Sequence, residues 1–326
     1  MASKSSVEYY SNIKEMSPVR AIAETLMNNH LVRKVDIREA YELAKNQPGV
    51  SVTDLPMYPD FVKLHNLPEN AKVINDCHGN IIGRTAKARR FYNRLNPSQK
   101  NKVEGDFREA VWQMQHYPLI KAEAILGMDR DLMLKATFIT TESDAANVFF
   151  WLLNFAPYES LKEQYEASPK LPIQDIILVA FNEWTCDDDF YNNVGAPQLA
   201  LVDEKHNVIV NLGMRYFGER KKGTLTMAWT SGIRIGMAAC HGGIKEIDFG
   251  TCEILNITNW VKDQSPFTVF QAPENPVIPI MPIMPEPYLR AFPRLCYTMM
   301  LSRLIWKINF AVFGSQLYLI KRIAVR

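Results

Sequence analysis

The sequence predicts an α/β domain built on a mixed sheet, and three stretches carry that prediction. Ile173 to Phe181 is a nearly continuous apolar run, as expected of a strand buried on both faces. Leu132 to Ile139 reads as a strand. Directly after it, Thr141 and Asp144 give a capping-box-like start to a helix carrying Val148, Phe149, Leu152 and Leu153. Gln198 to Val202 and Val208 to Leu212 flank Asp203-Glu-Lys-His-Asn207, the pattern of a hairpin.

Taken in chain order, residues 1–65 read as a helical N-terminal region. Ile22 and Leu26, then Leu31, Val35, Ile37, Ala40 and Leu43, recur there at near-helical spacing. Residues 66–270 hold the alternating strands and helices, ending on a strand expected from Thr224 to Trp229. Residues 271–287 form a Pro-rich linker, where Pro276, Pro279, Pro282 and Pro285 fall every third residue and enforce polyproline II. Such a ladder serves as a stiff spacer or as a ligand for an aromatic groove. Residues 288–326 are a basic hydrophobic tail: no acidic residue follows Glu286, while Arg290, Arg294, Arg303, Lys307, Lys321, Arg322 and Arg326 remain. Its longest uncharged run, Ile308 to Ile320, is shorter than the roughly 20 apolar residues a bilayer span needs. Three readings of the tail stay open. It is a basic amphipathic helix making weak contact with an anionic membrane surface, a helix packed on the domain, or the product of a change of reading frame that truncates the protein after about residue 250.

A chain of 326 residues has room for two domains or one large one. Its 47% hydrophobic and 22% charged content is that of a globular protein, and a net charge of +2 gives no ground for a nucleic-acid partner. The five cysteines (Cys77, Cys186, Cys240, Cys252 and Cys296) are scattered and contain no CxxC pair. That usage fits reduced thiols in a cytosol better than a disulfide framework. The polar start Met-Ala-Ser-Lys-Ser-Ser has no apolar signal core, so a cytoplasmic location is expected.

The most informative stretch is Tyr216-Phe-Gly-Glu-Arg-Lys-Lys-Gly-Thr-Leu-Thr-Met-Ala-Trp229, followed by Cys240-His241-Gly-Gly243. Glycines on both sides of the Lys221–Lys222 pair, Gly218 and Gly223, let the backbone approach a ligand closely. A tyrosine, two adjacent lysines and a histidine can together hold a divalent metal and an acidic substrate. Upstream lies Gly83-Arg84-Thr-Ala-Lys87. These residues resemble the phosphoenolpyruvate carboxykinases, above all the ATP-dependent class. That family carries Tyr-Ala-Gly-Glu-x-Lys-Lys-Gly, a metal-binding histidine after eighteen further residues, and an upstream Gly-Arg-Ser-Pro-Lys. The interval from Lys222 to His241 is the same.

The resemblance covers about residues 70 to 250 and implies the fold of the carboxykinase substrate and metal half. It implies decarboxylation of oxaloacetate and phosphoryl transfer to give phosphoenolpyruvate. Lys221 and Lys222 would be catalytic, with Lys222 and His241 holding Mn²⁺ or Mg²⁺. Arg84, Tyr216 and Lys221 would bind the dicarboxylic acid. Lys222 would be an unusual ligand, because only a neutral amine has a lone pair to give, and the cation at Lys221 favours that form. The fork of Arg84 suits a carboxylate. One departure is large: the family's phosphate loop, Gly-x-x-Gly-x-Gly-Lys-Thr, is missing. The corresponding segment, Ile257 to Pro266, contains no glycine, so its backbone cannot cradle phosphates. ATP or GTP would therefore be used only with a nucleotide-binding half restored.

Each assignment has a plainer counterpart. The lysine pair reads equally as a solvated turn, His241 as a core histidine, and Arg84 as part of a basic helix face with Lys87, Arg89 and Arg90. The Asp187-Asp188-Asp189 cluster with Glu183 reads as solvated loop, and Cys77-His78 with Cys240-His241 lacks the spacing of a structural zinc site. The alternative function is a non-catalytic binding protein on the same fold, engaging a partner or a membrane through the linker and tail.

Overall fold

The computed structural model describes residues 17–77, 88–129, 132–171, 173–186, 188–191 and 197–239, with short paired pieces at 267–268, 281–282 and 319–321. The first part contains α1 (Pro18–Met27), β1 (Arg33–Lys34), α2 (Ile37–Lys45), β2 (Val50–Pro56), α3 (Pro59–Leu64) and β3 (Lys72–Asp76). Next come β4 (Arg89–Phe91), α4 (Pro97–Met114), β5 (Leu119–Asp129), β6 (Leu132–Thr141), α5 (Ala145–Asn154), β7 (Ala156–Pro157) and α6 (Tyr158–Ala167). The last part holds β8 (Ile176–Phe181), β9 (Leu199–Asp203), β10 (Val208–Leu212), α7 (Phe217–Arg234) and β11 (Met237–Ala239).

Helix starts are written locally. Ser17 caps α1 ahead of Pro18, and α2 and α4 open on full capping boxes, Asp36 with Glu39 and Asn96 with Gln99. The central sheet runs β1-β5-β6-β8-β10-β9-β4, with β7 added beside β5. Strands β6, β8 and β10 are mutually parallel, whereas β5 and β9 run against them. The mixed sheet expected from the sequence is present, and so is its hairpin: β9 and β10 pair antiparallel around Asn207, which takes a left-handed φ of 57°. All six residues of β8 are buried, as its apolar run requires of a strand covered on both faces.

The sheet sits between two helical layers. One face is covered by α1 and α4 through Val19, Ile22, Leu26, Phe107 and Met114. The other is covered by α2, α5 and α7 through Tyr41, Phe149, Trp151, Leu225 and Met227. Helix α5 is apolar nearly all round because it lies between the sheet and its neighbouring helices. The Trp151 indole donates to the Thr224 hydroxyl at 3.0 Å and ties α5 to α7. A side sheet, β2 with β3, stands apart from the main one.

Two local expectations are corrected. Thr224 to Trp229 is helix rather than strand, forming the middle of α7. Its threonines, read as β-formers, instead bond back along the helix: Thr224 donates to the Arg220 carbonyl and Thr226 to the Lys222 carbonyl. Among its buried residues, Arg220, Gly223, Thr224, Met227, Ala228 and Ser231 recur at helical spacing. Asp144 does not cap α5, and neither does Thr141; a 3₁₀ turn over Glu142–Asp144 intervenes, and the carboxylate points into the core. Among the described residues no helix is long and apolar enough to cross a membrane. The proline ladder and tail lie outside the described residues, except that Phe267–Thr268 pairs with Met281–Pro282 and Met237–Ala239 pairs with Leu319–Lys321.

Glu123 on β5 ties three strands, receiving Lys34 of β1 at 2.7 Å and Lys135 of β6 at 2.5 Å. Burial pushes its carboxyl up, but these two lysines outweigh burial and hold it below the usual range. A carboxylate with a depressed folded pKa stabilises the fold above its unfolded pKa and loses that contribution as pH falls through the folded value. Glu123→Gln is therefore expected to lower stability by about 1 kcal/mol at pH 7. The deficit should shrink toward pH 3, as followed by chemical denaturation across pH.

Candidate functional site

The C-terminal ends of β6, β8 and β10 lie side by side, and in α/β sheets ligands bind at that edge. The chain leaves β10 through Gly213, whose φ of +65° and 2.1 Å approach of a would-be Cβ to the Pro197 carbonyl admit only glycine. It then runs through Met214 and Arg215 to Tyr216, the N-cap residue of α7, whose side chain makes no cap hydrogen bond. The start of a long helix presents unpaired N–H groups and the positive end of its dipole, which suits an anion.

Three ion pairs fasten this turn to the rest of the molecule. Arg215 donates to Asp76, the last residue of β3, at 2.9 Å. Arg89, the first residue of β4, contacts both oxygens of Glu219 at 2.7 and 2.8 Å. Arg220 meets Asp144 at 3.2 Å with both side chains at 0% exposure. Asp144 also accepts from Thr140, from Asn147 at 2.6 Å and from Asn182 at 2.7 Å. Arg220 reaches the Asn182 oxygen at 2.5 Å and the Met214 carbonyl at 2.6 Å, with a longer bond to the Tyr216 carbonyl. Asn147 holds the Arg215 carbonyl at 3.1 Å. Removing one partner of so buried a pair typically costs about 3–5 kcal/mol, because the other charge is stranded.

The residues singled out in the sequence fall on this turn where they can be followed. Tyr216, Lys221 and Lys222 occupy the N-cap and first two turns of α7, Lys221 half-buried and Lys222 exposed. Arg84 and His241 lie outside the described residues, as do His78, Asp187 and Cys240. Both glycines are closely packed by protein atoms. A Cβ at Gly218 would lie 2.2 Å from the Tyr216 ring, which folds over it, and one at Gly223 would lie 3.1 Å from Ile209 of β10. Asp188 is taken by Lys102 and by the Phe190 amide, and Glu183 accepts from Ser143 and Thr141. Among the described residues no three His, Cys, Asp or Glu side chains gather to hold a metal.

Sequence reasoning missed Asp144, Asn147, Asn182 and Arg220. The signal for Arg220 was present: an arginine inside an otherwise glycine- and lysine-rich motif, with its helical neighbours at 223, 224 and 227 small or apolar. Nothing in the sequence pairs it with Asp144, 76 residues away.

Fold and site together define an α/β protein with a cationic helix start at the open end of its parallel strands. No protein-family model matches the chain, and no curated protein matches it either.

Gly218→Ala places a methyl where the Tyr216 ring lies, and the ring, the far end of a flexible side chain, can swing away. The expected result is a stability change within about 1 kcal/mol, since alanine also favours the helix, with the ring displaced. Thermal melts and a crystal structure of the variant check both halves.

Proposed function

We propose that this chain binds a divalent cation and a small dicarboxylic acid at the start of α7. It would promote decarboxylation of an oxaloacetate-like acid as a phosphoenolpyruvate carboxykinase-like protein that carries the substrate and metal half of that chemistry. One observation carries the reading. The turn bearing Tyr216, Lys221 and Lys222 is also where the chain segment bearing Arg84 begins and ends. The segment leaves from Asp76, which is held by Arg215, and returns at Arg89, which holds Glu219. The residues that flank the segment containing the second motif are thus tied to the turn that bears the first.

The chemistry asks little more than positioned positive charge. In oxaloacetate the C3–C4 bond breaks, carbon dioxide leaves, and the electron pair moves through C2 onto the carbonyl oxygen. Proton uptake at C3 then gives pyruvate. Phosphoryl transfer to that oxygen would need a nucleotide and the phosphate loop that this sequence lacks. Lys221 and the helix N-terminus would stabilise the developing oxyanion and the neighbouring carboxylate. Arg84 would clamp the other carboxylate through its fork, and Tyr216 would pack against the acid. Lys222 and His241 would hold Mn²⁺ or Mg²⁺, which when bound supplies further positive charge to the same oxygen. The donor set fits only in part: Lys222 is exposed at the turn, and the second ligand falls outside the described residues.

Mn²⁺ binding followed by electron paramagnetic resonance, with oxaloacetate decarboxylation measured alongside, tests the reading. Lys222→Ala and His241→Ala should each weaken Mn²⁺ by about tenfold or more. Arg84→Ala should leave Mn²⁺ binding intact and weaken oxalate by a similar factor. Unchanged Mn²⁺ affinity in both metal-site variants, or decarboxylation no faster than with free Mn²⁺, overturns it.

A further inference from the structure

We infer that Asp144, Asn147, Asn182 and Arg220 form a positioning network that sets the geometry of the Tyr216–Lys222 turn, an inference that rests on the ligand reading just given. Three consecutive carbonyls leading into α7 are gripped by this network. Met214 O and Tyr216 O accept from Arg220, and Arg215 O accepts from Asn147. Consecutive carbonyls of a connecting loop normally face water or a neighbouring strand; here side chains from α5 and α7 take all three. The guanidinium of Arg220 spans residues that follow β6, β8 and β10, namely Asp144, Asn182 and Met214. It therefore references the helix start to all three parallel strands at once. The lysines follow immediately in sequence, so the rotation of α7 about its axis at Arg220 fixes where Lys221 and Lys222 point.

The network is poorly suited to a purely stabilising role. Among the described residues, Arg220 Nε and the Asn147 side-chain oxygen are buried without a hydrogen-bond partner. An apolar pair of similar volume would fill the same space without stranding polar atoms. What an apolar pair cannot do is hold three carbonyls and a helix start in one register. Each member is a positioning residue, acting on the proposed ligand only through the turn.

Arg220→Lys retains the charge beside Asp144 and removes the fork. The expected result is amide hydrogen exchange at 216–222 faster by about tenfold, with β8 amides still protected. Mn²⁺ and oxalate affinities should fall by about tenfold at temperatures where the variant is fully folded. Should Arg220→Lys fail to fold, Asn147→Ser removes the amide that holds the Arg215 carbonyl and Asp144 while leaving the Arg220–Asp144 pair in place, and the same changes should appear in smaller measure. A variant that melts at a lower temperature yet keeps wild-type exchange at 216–222 and both affinities overturns the inference, leaving an ordinary structural ion pair. If those amides loosen but the wild-type protein binds neither Mn²⁺ nor oxalate, the network's hold on the turn is supported and the ligand reading falls.

Discussion

The contact between Arg220 and Asp144 is the constraint on which the open end of the sheet depends. Both side chains are withdrawn from solvent, and each charge is acceptable there only because the other is present. Around that pair the polar groups sort themselves. Asn182 bridges by accepting from Arg220 and donating to Asp144, and Asn147 donates to Asp144 and to the backbone before α7. The outer ion pairs, Arg215 with Asp76 and Arg89 with Glu219, then fasten β3 and β4 to the same turn. An inner polar knot is thus surrounded by a partly exposed ring of charge.

Stability comes from elsewhere in the molecule. The wholly apolar β8, the packing of Phe138 and Trp151, and the two helical layers bury large side chains at roughly 1.5–3 kcal/mol each. A core of that size tolerates an expensive polar cluster at its rim. The division is physical: apolar contacts are non-directional and give cohesion, while the directional bonds are concentrated where geometry matters.

How much of this was legible in the sequence follows from the same division. Strand β8 was readable because burial on both faces writes itself as a nearly continuous apolar run, and β6, β9 and β10 because apolar residues dominate them despite Lys135, Asp203 and Asn211. Helix α7 was misread because Thr224, Thr226 and Thr230 resemble a β-forming stretch when their hydroxyl bonds to the preceding turn are not visible. Strand β2 left little signal, since Val52 and Leu55 are exposed and no alternation of buried and open positions marks it. At the site, Tyr216, Lys221 and Lys222 stood out as a local motif. Asp144 looked like the acidic half of a capping box with Thr141; its role is set by a partner 76 residues away, which spacing along the chain cannot reveal.

The correction at α7 changes what the lysine pair can do. The strand expected from the sequence began only at Thr224 and left Lys221 and Lys222 in the turn before it, which fixes no direction for either side chain. On a helix of 3.6 residues per turn they diverge by about 100°, close enough to border one ligand yet facing different surroundings. Their exposures follow that geometry: Lys221 is half-buried toward the protein and Lys222 is open. Glu219, in the first turn of the helix, has both oxygens engaged by Arg89. The turn thus carries two adjacent ammonium groups beside an arginine-bound carboxylate at the open end of the parallel strands. The division of labour proposed for the pair, carboxylate at Lys221 and metal at Lys222, asks for two neighbouring directions from one turn. A helix supplies them and a solvated turn does not.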